Sequence, residues 1–349
     1  MHSLTPAFLD NLSFSTRQAS TIQAIGEYRG KQQLYSQQTP QILDDLRTAA
    51  MIESVISSNR LEGITAAPDR IEALMLQPAA ASGRSEEEIA GYRDALQELH
   101  GHTEQPPVNE NTLLHFHDMI NRYTAELGGR WKREDNVILE RYADGTSHVR
   151  FRPVPAAETP SAIGQFVGAY DLAIHHDRRE PLVVIPLTIL DFLCIHPFED
   201  GNGRCSRLLM LLLLYHFGYE VGRYISLERV IEQSKQTYYE TLKASSQNWH
   251  QGRHDPHPWL NYSWGVLIAA YKEFADRVGT IQSARGSKTE RVRSAVLRRM
   301  GEFAISDIER DCPTVSRDMI RVVLNQLRDE GLVELHGKGR GAKWKQVNK

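Results

Sequence analysis

Seven consecutive apolar residues, Leu208-Leu209-Met210-Leu211-Leu212-Leu213-Leu214, constrain this chain's fold more than any other feature. A helix through them is apolar on every side, so it belongs at the centre of a larger helical domain. A second apolar run, Pro186 to Ile195, reads as another buried helix just upstream. Between the two emerges a polar segment, His196-Pro197-Phe198-Glu199-Asp200-Gly201-Asn202-Gly203-Arg204-Cys205-Ser206-Arg207. Pro197 is placed to end the first helix, and Gly201-Asn202-Gly203 to open the second.

The residue types in this segment suit phosphate chemistry. Free N–H groups at a helix start, with the helix dipole behind them, attract an anion. Gly201 and Gly203 let backbone and ligand come close, and the Asn202 amide can donate to a phosphate oxygen. Arg204 and Arg207 are three apart on one helix face, where their guanidiniums can fork onto successive phosphates. Asp200 is a hard oxygen ligand of the kind Mg²⁺ takes alongside phosphate oxygens. His196 is a base with an ordinary pKa of about 6.5. Together these groups can move a nucleotide phosphoryl group onto a nucleophile.

The segment resembles the Fic motif, His-Pro-Phe-x-(Asp/Glu)-Gly-Asn-Gly-Arg-x-x-Arg, and departs from it at no fixed position. Upstream, Ser58-Asn59-Arg60-Leu61-Glu62-Gly63 resembles the inhibitory motif of Fic proteins, (Ser/Thr)-x-x-x-Glu-(Gly/Asn). It closes a helix that starts at Thr39-Pro40 and carries an apolar stripe of Ile42, Leu43, Leu46, Ala49, Ala50, Ile52, Ile56 and Leu61, with Gly63 as its stop. The resemblance spans roughly residues 50–275. It implies a protein adenylyltransferase of the self-inhibited class with an N-terminal inhibitory helix. ATP would be co-substrate and Mg²⁺ would sit on Asp200. Gly201, Asn202 and Gly203 would hold the α-phosphate, Arg204 the β- and Arg207 the γ-phosphate. His196 would deprotonate a Tyr, Ser or Thr hydroxyl of a target protein, and Glu62 would block Arg207. A Tyr in the adenine pocket is implied too, which falls on Tyr238 or Tyr239. Three alternatives remain open: removal of AMP at the same site, transfer of another phosphoryl group, and a transcription regulator that senses nucleotide.

The hairpin pattern of Val137 to Arg152, turning at Asp144-Gly145, lies where Fic proteins carry a flap that binds the target segment by strand addition. Other helices are expected at Ser15 to Gln37 with a capping box, at Pro68 to near Pro78, from Ser85 and from Asn109. Downstream ones cover Ala162 to His175, a helix opened by Ile225-Ser226-Leu227-Glu228 and reaching Ser234, Lys235 to Trp249 and Trp259 to Val278. The first is so polar that it packs either on the main domain or on a second copy of the chain, as in a homodimer. His100, His102, His115 and His117 lack companion carboxylates at ligand spacing and read as surface or core side chains.

Residues 288–349 differ in character. Three short helical patterns and two strand patterns around Gly337-Lys338-Gly339-Arg340-Gly341 resemble a winged helix-turn-helix. Here 14 Lys+Arg face 9 Asp+Glu, net +5, against 27 and 35 in the remainder, net −8. Arg317, Arg321, Asn325 and Arg328 share one face of the third helix and suit DNA contact, with protein docking the other reading.

The expected architecture is mainly α: a Fic helical core with a β-hairpin flap, and a small α+β winged-helix domain. Its parts are an N-terminal helical region at 1–66, the catalytic domain at 67–278, a linker at 279–287 and the winged helix at 288–349. The chain's net charge of −3 signals no polyanionic partner overall. Three widely spaced cysteines, Cys194, Cys205 and Cys312, suggest no disulfide framework or zinc site, and a reducing cytoplasm. No signal peptide or 18-residue apolar run appears, so no membrane partner is expected.

Overall fold

The structure is a computed structural model. It describes residues 2–38, 40–76, 81–102, 104–141, 145–283, 288–297, 299, 301–312, 315–337 and 342–347. Helices dominate: α1 (Pro6–Asp10), α2 (Thr16–Gln38), α3 (Pro40–Leu61), α4 (Pro68–Leu76), α5 (Arg84–Gly101), α6 (Glu110–Asn121), α7 (Thr159–Asp171), α8 (Pro181–Ile195), α9 (Asn202–His216), α10 (Leu227–Gln233), α11 (Lys235–Ser246) and α12 (His257–Ser283). A hairpin of β1 (Ile138–Arg141) and β2 (Ser147–Phe151) interrupts them. The chain then continues through α13 (Lys288–Leu297), α14 (Ile305–Asp311), α15 (Arg317–Asp329) and a second hairpin, β3 (Val333–His336) with β4 (Lys343–Gln346). Two compact units result: Met1–Thr65 with Ala81–Phe274, and Ala66–Ala80 with Ala275–Lys349. Among the described residues no helix is long and apolar enough to cross a membrane.

The first unit is organised around α8 and α9. Leu208, Leu209 and Leu211 through Leu214 are all buried, while Met210 lies at the edge of the core. Helix α8 starts at Pro181, earlier than expected, so Pro186 is interior to it. A proline there has no N–H for the carbonyl one turn back, and an interior proline normally breaks a helix at a cost of about 3 kcal/mol. The Trp264 indole N–H donates to that orphaned Leu182 carbonyl at 2.7 Å, and Trp259 donates to the Pro186 carbonyl at 2.7 Å. Two tryptophans of α12 thus let α8 continue. The start of α2 carries the expected capping box: Ser15 Oγ accepts from Gln18 N at 3.3 Å, and Gln18 Oε1 accepts from Ser15 N at 3.0 Å.

Helix α3 departs from its expected stripe. Leu43, Leu46, Ala50 and Leu61 are buried, but Ser54, Ser57 and Ser58 share that face instead of Ile52 and Ile56. The hydroxyls are tolerated because they find partners: Ser54 Oγ donates to the buried Glu228 carboxylate at 2.7 Å. The flap forms where expected, although Tyr142, Ala143 and Asp144 of its turn lie outside the described residues.

In the second unit, α13 to α15 and the β3–β4 hairpin enclose a core that includes Val292, Val296, Ile308, Ile320, Leu324, Leu327, Val333 and Trp344. Phe303 adds a backbone bridge to Trp344, with reciprocal 2.8 Å hydrogen bonds. Arg317, Arg321, Asn325 and Arg328 are exposed on α15, opposite the core. Each arginine already has an acid: Glu309 at 3.2 Å, Asp318 at 3.3 Å and Asp329 at 3.3 Å respectively. Helix α12 runs to Ser283, across the start of the expected linker. Positions 284–287 of that linker, Pro78, Pro313-Thr314 and the 338–341 wing tip lie outside the described residues.

Candidate active site

The site is built where α8 ends and α9 begins. His196 caps α8 in the left-handed region, at φ 52° and ψ 62°. That conformation costs a non-glycine residue about 1–3 kcal/mol and persists only where its surroundings impose it. Here they do. The His196 N–H donates to the Phe192 carbonyl at 2.9 Å, and the ring Nδ1 lies 3.2 Å from the Leu193 carbonyl. A carbonyl only accepts, so Nδ1 carries the proton and Nε2 keeps its lone pair. Burial holds the imidazole pKa down, from 6.5 to about 4; the Leu193 bond opposes this and the Lys132 charge adds to it. The ring is therefore a neutral base near pH 7.

The loop after His196 is tied from three sides. Phe198 is fully buried and stacks on His117, with centroids 3.9 Å apart, and on Trp131 at 5.3 Å. Lys132 donates from its backbone to the Pro197 carbonyl at 2.8 Å and from Nζ to the Ile195 carbonyl at 3.2 Å. Asn136 donates to the Phe198 carbonyl at 3.0 Å. Asn202 closes the loop on itself: its Oδ1 accepts from Phe198 N at 2.9 Å and its Nδ2 donates to Phe198 O at 2.8 Å. The Asn202 side chain, expected to serve a phosphate, is a loop clasp here through Oδ1 and one of its two Nδ2 hydrogens. Asn202→Ala would strand the buried Phe198 N–H at about 1–3 kcal/mol, while the Phe198 carbonyl keeps Asn136. It is expected to lower the thermal unfolding midpoint measurably; an unchanged midpoint contradicts the clasp.

Gly201 takes φ +78°, where a side chain would be strained, and a Cβ there would push on Ile120 Cδ1 at 2.7 Å. A Cβ on Gly203 would meet Glu62 Oε1 at 2.1 Å. The Glu62 carboxylate thus lies directly on the first turn of α9, where the free N–H groups and dipole favour an anion. It also accepts from Arg207 NH2 at 2.8 Å. Ser58 holds the same guanidinium: its Oγ accepts from Nε at 2.8 Å and its carbonyl from NH2 at 2.9 Å. Arg207 is buried; burial alone would weaken its charge, but Glu62, Tyr238 and Tyr92 together more than offset this and hold its pKa above the ordinary value. Ser58, Glu62, Gly203 and Arg207 thus meet in one cluster.

Arg204, expected to reach a phosphate beside Arg207, points elsewhere than Arg207. It does not fork alongside Arg207 but turns to α5, where NH1 lies 2.7 Å from buried Glu88 Oε2. The contact is too poorly aligned for a hydrogen bond, so it is an ion pair. Removing a charge from such a buried pair costs about 3–5 kcal/mol, so Arg204 stays with Glu88. Its NH2 reaches Asp200 Oδ2 at 3.4 Å. Asp200 is 60 % exposed and presents its carboxylate to solvent beside the cradle. Among the described residues no three His, Cys, Asp or Glu side chains gather as a metal cage. One open carboxylate fits an ion such as Mg²⁺ that takes its other ligands from phosphate and water.

The two tyrosines separate. Tyr238 is buried against Trp259 and Tyr262, with centroids 5.6 and 5.9 Å away, and is core. Tyr239 is half-buried and donates to the Leu61 carbonyl at 3.3 Å, as Lys235 does at 3.2 Å. These two side chains of α11 fasten the end of α3 that carries Glu62. Lys132, Asn136 and Glu88 were missed by sequence reasoning, because each acts from a distant element and belongs to no contiguous pattern.

A base, an anion cradle and a buried arginine thus meet between two core helices of a mainly helical domain. Residues 107–214 match the Fic/DOC family model, and the chain carries a Fic/DOC domain. It is 24 % identical over 202 residues to the protein adenylyltransferase Fic of Nematostella vectensis, covering 56 % of this chain and 44 % of that protein. The chain therefore spans less than half the length of that relative. In fold it is similar to a Fic family protein from Desulfovibrio desulfuricans, with TM-score 0.62 and 21 % identity over 97 % of this chain and 98 % of that one. A Fic domain containing signaling protein from Bacteroides thetaiotaomicron is also similar, with TM-score 0.60, 19 % identity and coverage of 74 % and 98 %.

Proposed function

We propose that this chain is a protein adenylyltransferase, moving AMP from ATP to a Tyr, Ser or Thr hydroxyl of a target protein, and that Glu62 restrains it. The observation that carries the reading is the Glu62 carboxylate seated on Gly203 and Arg207, below His196. A carboxylate resembles the outermost oxygens of a triphosphate in charge and size, so the seat it fills is one a terminal phosphate can take. The similarity to proteins named adenylyltransferases supports the choice of AMP.

With Glu62 withdrawn, Arg207 faces the γ-phosphate, and the N–H groups of the first turn of α9 receive the α- and β-phosphates. Mg²⁺ held by Asp200 would neutralise charge on the phosphates. His196 Nε2 takes the proton of the target hydroxyl as its oxygen bonds to the α-phosphorus. The bond to the β-phosphate's bridging oxygen breaks, and pyrophosphate leaves with the electron pair. A pKa of about 4 is low for this base, but the negative charge of bound triphosphate raises it toward the working pH. The target segment adds to an open edge of the two-stranded flap through backbone hydrogen bonds, close to the base. ATP labelled at the α-phosphate is expected to label protein, whereas ATP labelled at the γ-phosphate is not. Transfer of γ-label instead would show a kinase-like reaction and contradict the assignment.

For the second unit the pairing of each α15 arginine with an acid favours protein docking over DNA binding. The 349-residue chain is expected to retain duplex DNA on a filter only at very low salt. Retention that survives about 0.15 M salt would contradict this and restore the DNA reading.

A further inference from the structure

One cation near the site belongs neither to the cradle nor to the inhibitory cluster. Ile138 pairs with Phe151 and Leu139 with Val149, so Arg150 is the extra residue of a β-bulge in the flap. A bulge bends the strand and re-aims the side chain it carries, often next to an active site. The Arg150 side chain is partly buried, and its Nε is sealed from solvent without a hydrogen-bond partner. Among the described residues Arg150 forms no hydrogen bond or ion pair; the nearby Glu140 carboxylate is instead engaged by Lys243 Nζ at 2.7 Å. Sealing a guanidinium N–H from water with no acceptor is unfavourable, so this donor is placed for a partner that the protein itself does not supply.

The surroundings indicate which partner. Burial lowers the pKa of Arg150, while Tyr238, Glu140, Tyr239 and Cys194 are close enough to act on its charge. Arg150 in turn helps depress His196. Tyr238 and Tyr239 also feel Arg207 and Glu62. Helix α11 joins the flap to the seat occupied by Glu62: Lys243 donates to Glu140 of β1 at 2.7 Å, and Tyr239 donates to the carbonyl of Leu61, the residue before Glu62, at 3.3 Å.

We propose that Arg150 is a nucleotide ligand carried by the flap, donating to a phosphate oxygen of the bound nucleotide from the side opposite Arg207. The inference rests on the adenylyltransferase reading. A guanidinium suits that position because it is always charged and offers paired donors to phosphate. Delivered from the flap, it also couples the strand that receives the target to the nucleotide being cleaved.

The test uses calorimetric binding of ATP and of adenosine, without target, to Glu62→Gly protein and to the same protein carrying Arg150→Ala or Arg150→Lys. Arg150→Ala is expected to weaken ATP binding about tenfold or more, the range for hydrogen bonds to charged groups, and leave adenosine binding unchanged. Arg150→Lys is expected to recover part of the loss. Equal loss for ATP and adenosine would mean that the flap had merely collapsed, and overturns the proposal. Unchanged ATP affinity with a raised KM for the target would mean that Arg150 meets an acidic target side chain, and overturns it as well. If Glu62→Gly protein with Arg150 intact binds no ATP, the adenylyltransferase reading itself fails and takes this inference with it.

Discussion

Glu62→Gly is expected to raise the rate of AMP transfer at least tenfold. In the wild-type structure the carboxylate occupies Gly203 and one arm of Arg207. A charge-assisted hydrogen bond of this kind contributes about 1.5–3 kcal/mol, which by itself biases a two-state equilibrium by a factor of about ten to a hundred. Glycine removes the anion from the seat and leaves Arg207 held by Ser58 alone, so ATP meets an accessible guanidinium. A second component comes from repulsion, since an incoming triphosphate no longer meets a like charge. Radiolabel incorporation from ATP labelled at the α-phosphate measures the change. Equal rates for wild type and variant, at equal ATP affinity, would remove Glu62 from any inhibitory role.

His196→Ala, made in the Glu62→Gly background, is expected to lower the rate by at least about 10²-fold, the low end for a lost general base. The geometry confines the residue to one role, because Nδ1–H is committed to Leu193 and only Nε2 is left to accept the proton. ATP affinity should change little, because the imidazole adds no charge to the cradle at neutral pH. The pH profile carries a further signature. The folded pKa of about 4 lies below the ordinary 6.5, so the base form persists as pH falls through 6.5 and is lost only toward 4 in the nucleotide-free enzyme. Bound phosphates move that limb upward. A rate in His196→Ala within a few-fold of its parent would assign the proton to another group.

The parts of the site that sequence disclosed are those its chemistry forces into one contiguous stretch. A base, a carboxylate, a glycine turn and an arginine at fixed spacing announce themselves, and Ser58 and Glu62 carry a spacing of their own. What the sequence concealed is direction. Nothing in Asn202 says that its amide turns back to Phe198, because a loop clasp and a phosphate donor call for the same side chain. Arg204 and Arg207 share a helix face by spacing, yet α5 and α3 draw them apart, since Glu88 and Glu62 come from different helices. Ser54 and Ser58 of α3 turn inward because Glu228 and Arg207 supply partners. Pro186 read as a helix start because its interior position depends on two distant indoles. Each case turns on a tertiary partner that outweighs local propensity.

The central claim, that a glutamate occupies the terminal phosphate's seat, is tested most directly by a crystal structure of Glu62→Gly protein with a non-hydrolysable ATP analogue. The γ-phosphate is expected within hydrogen-bonding distance of Arg207 and against Gly203, overlapping the position of the lost carboxylate. Density for the terminal phosphate elsewhere, with Arg207 still turned only to Ser58, would contradict it.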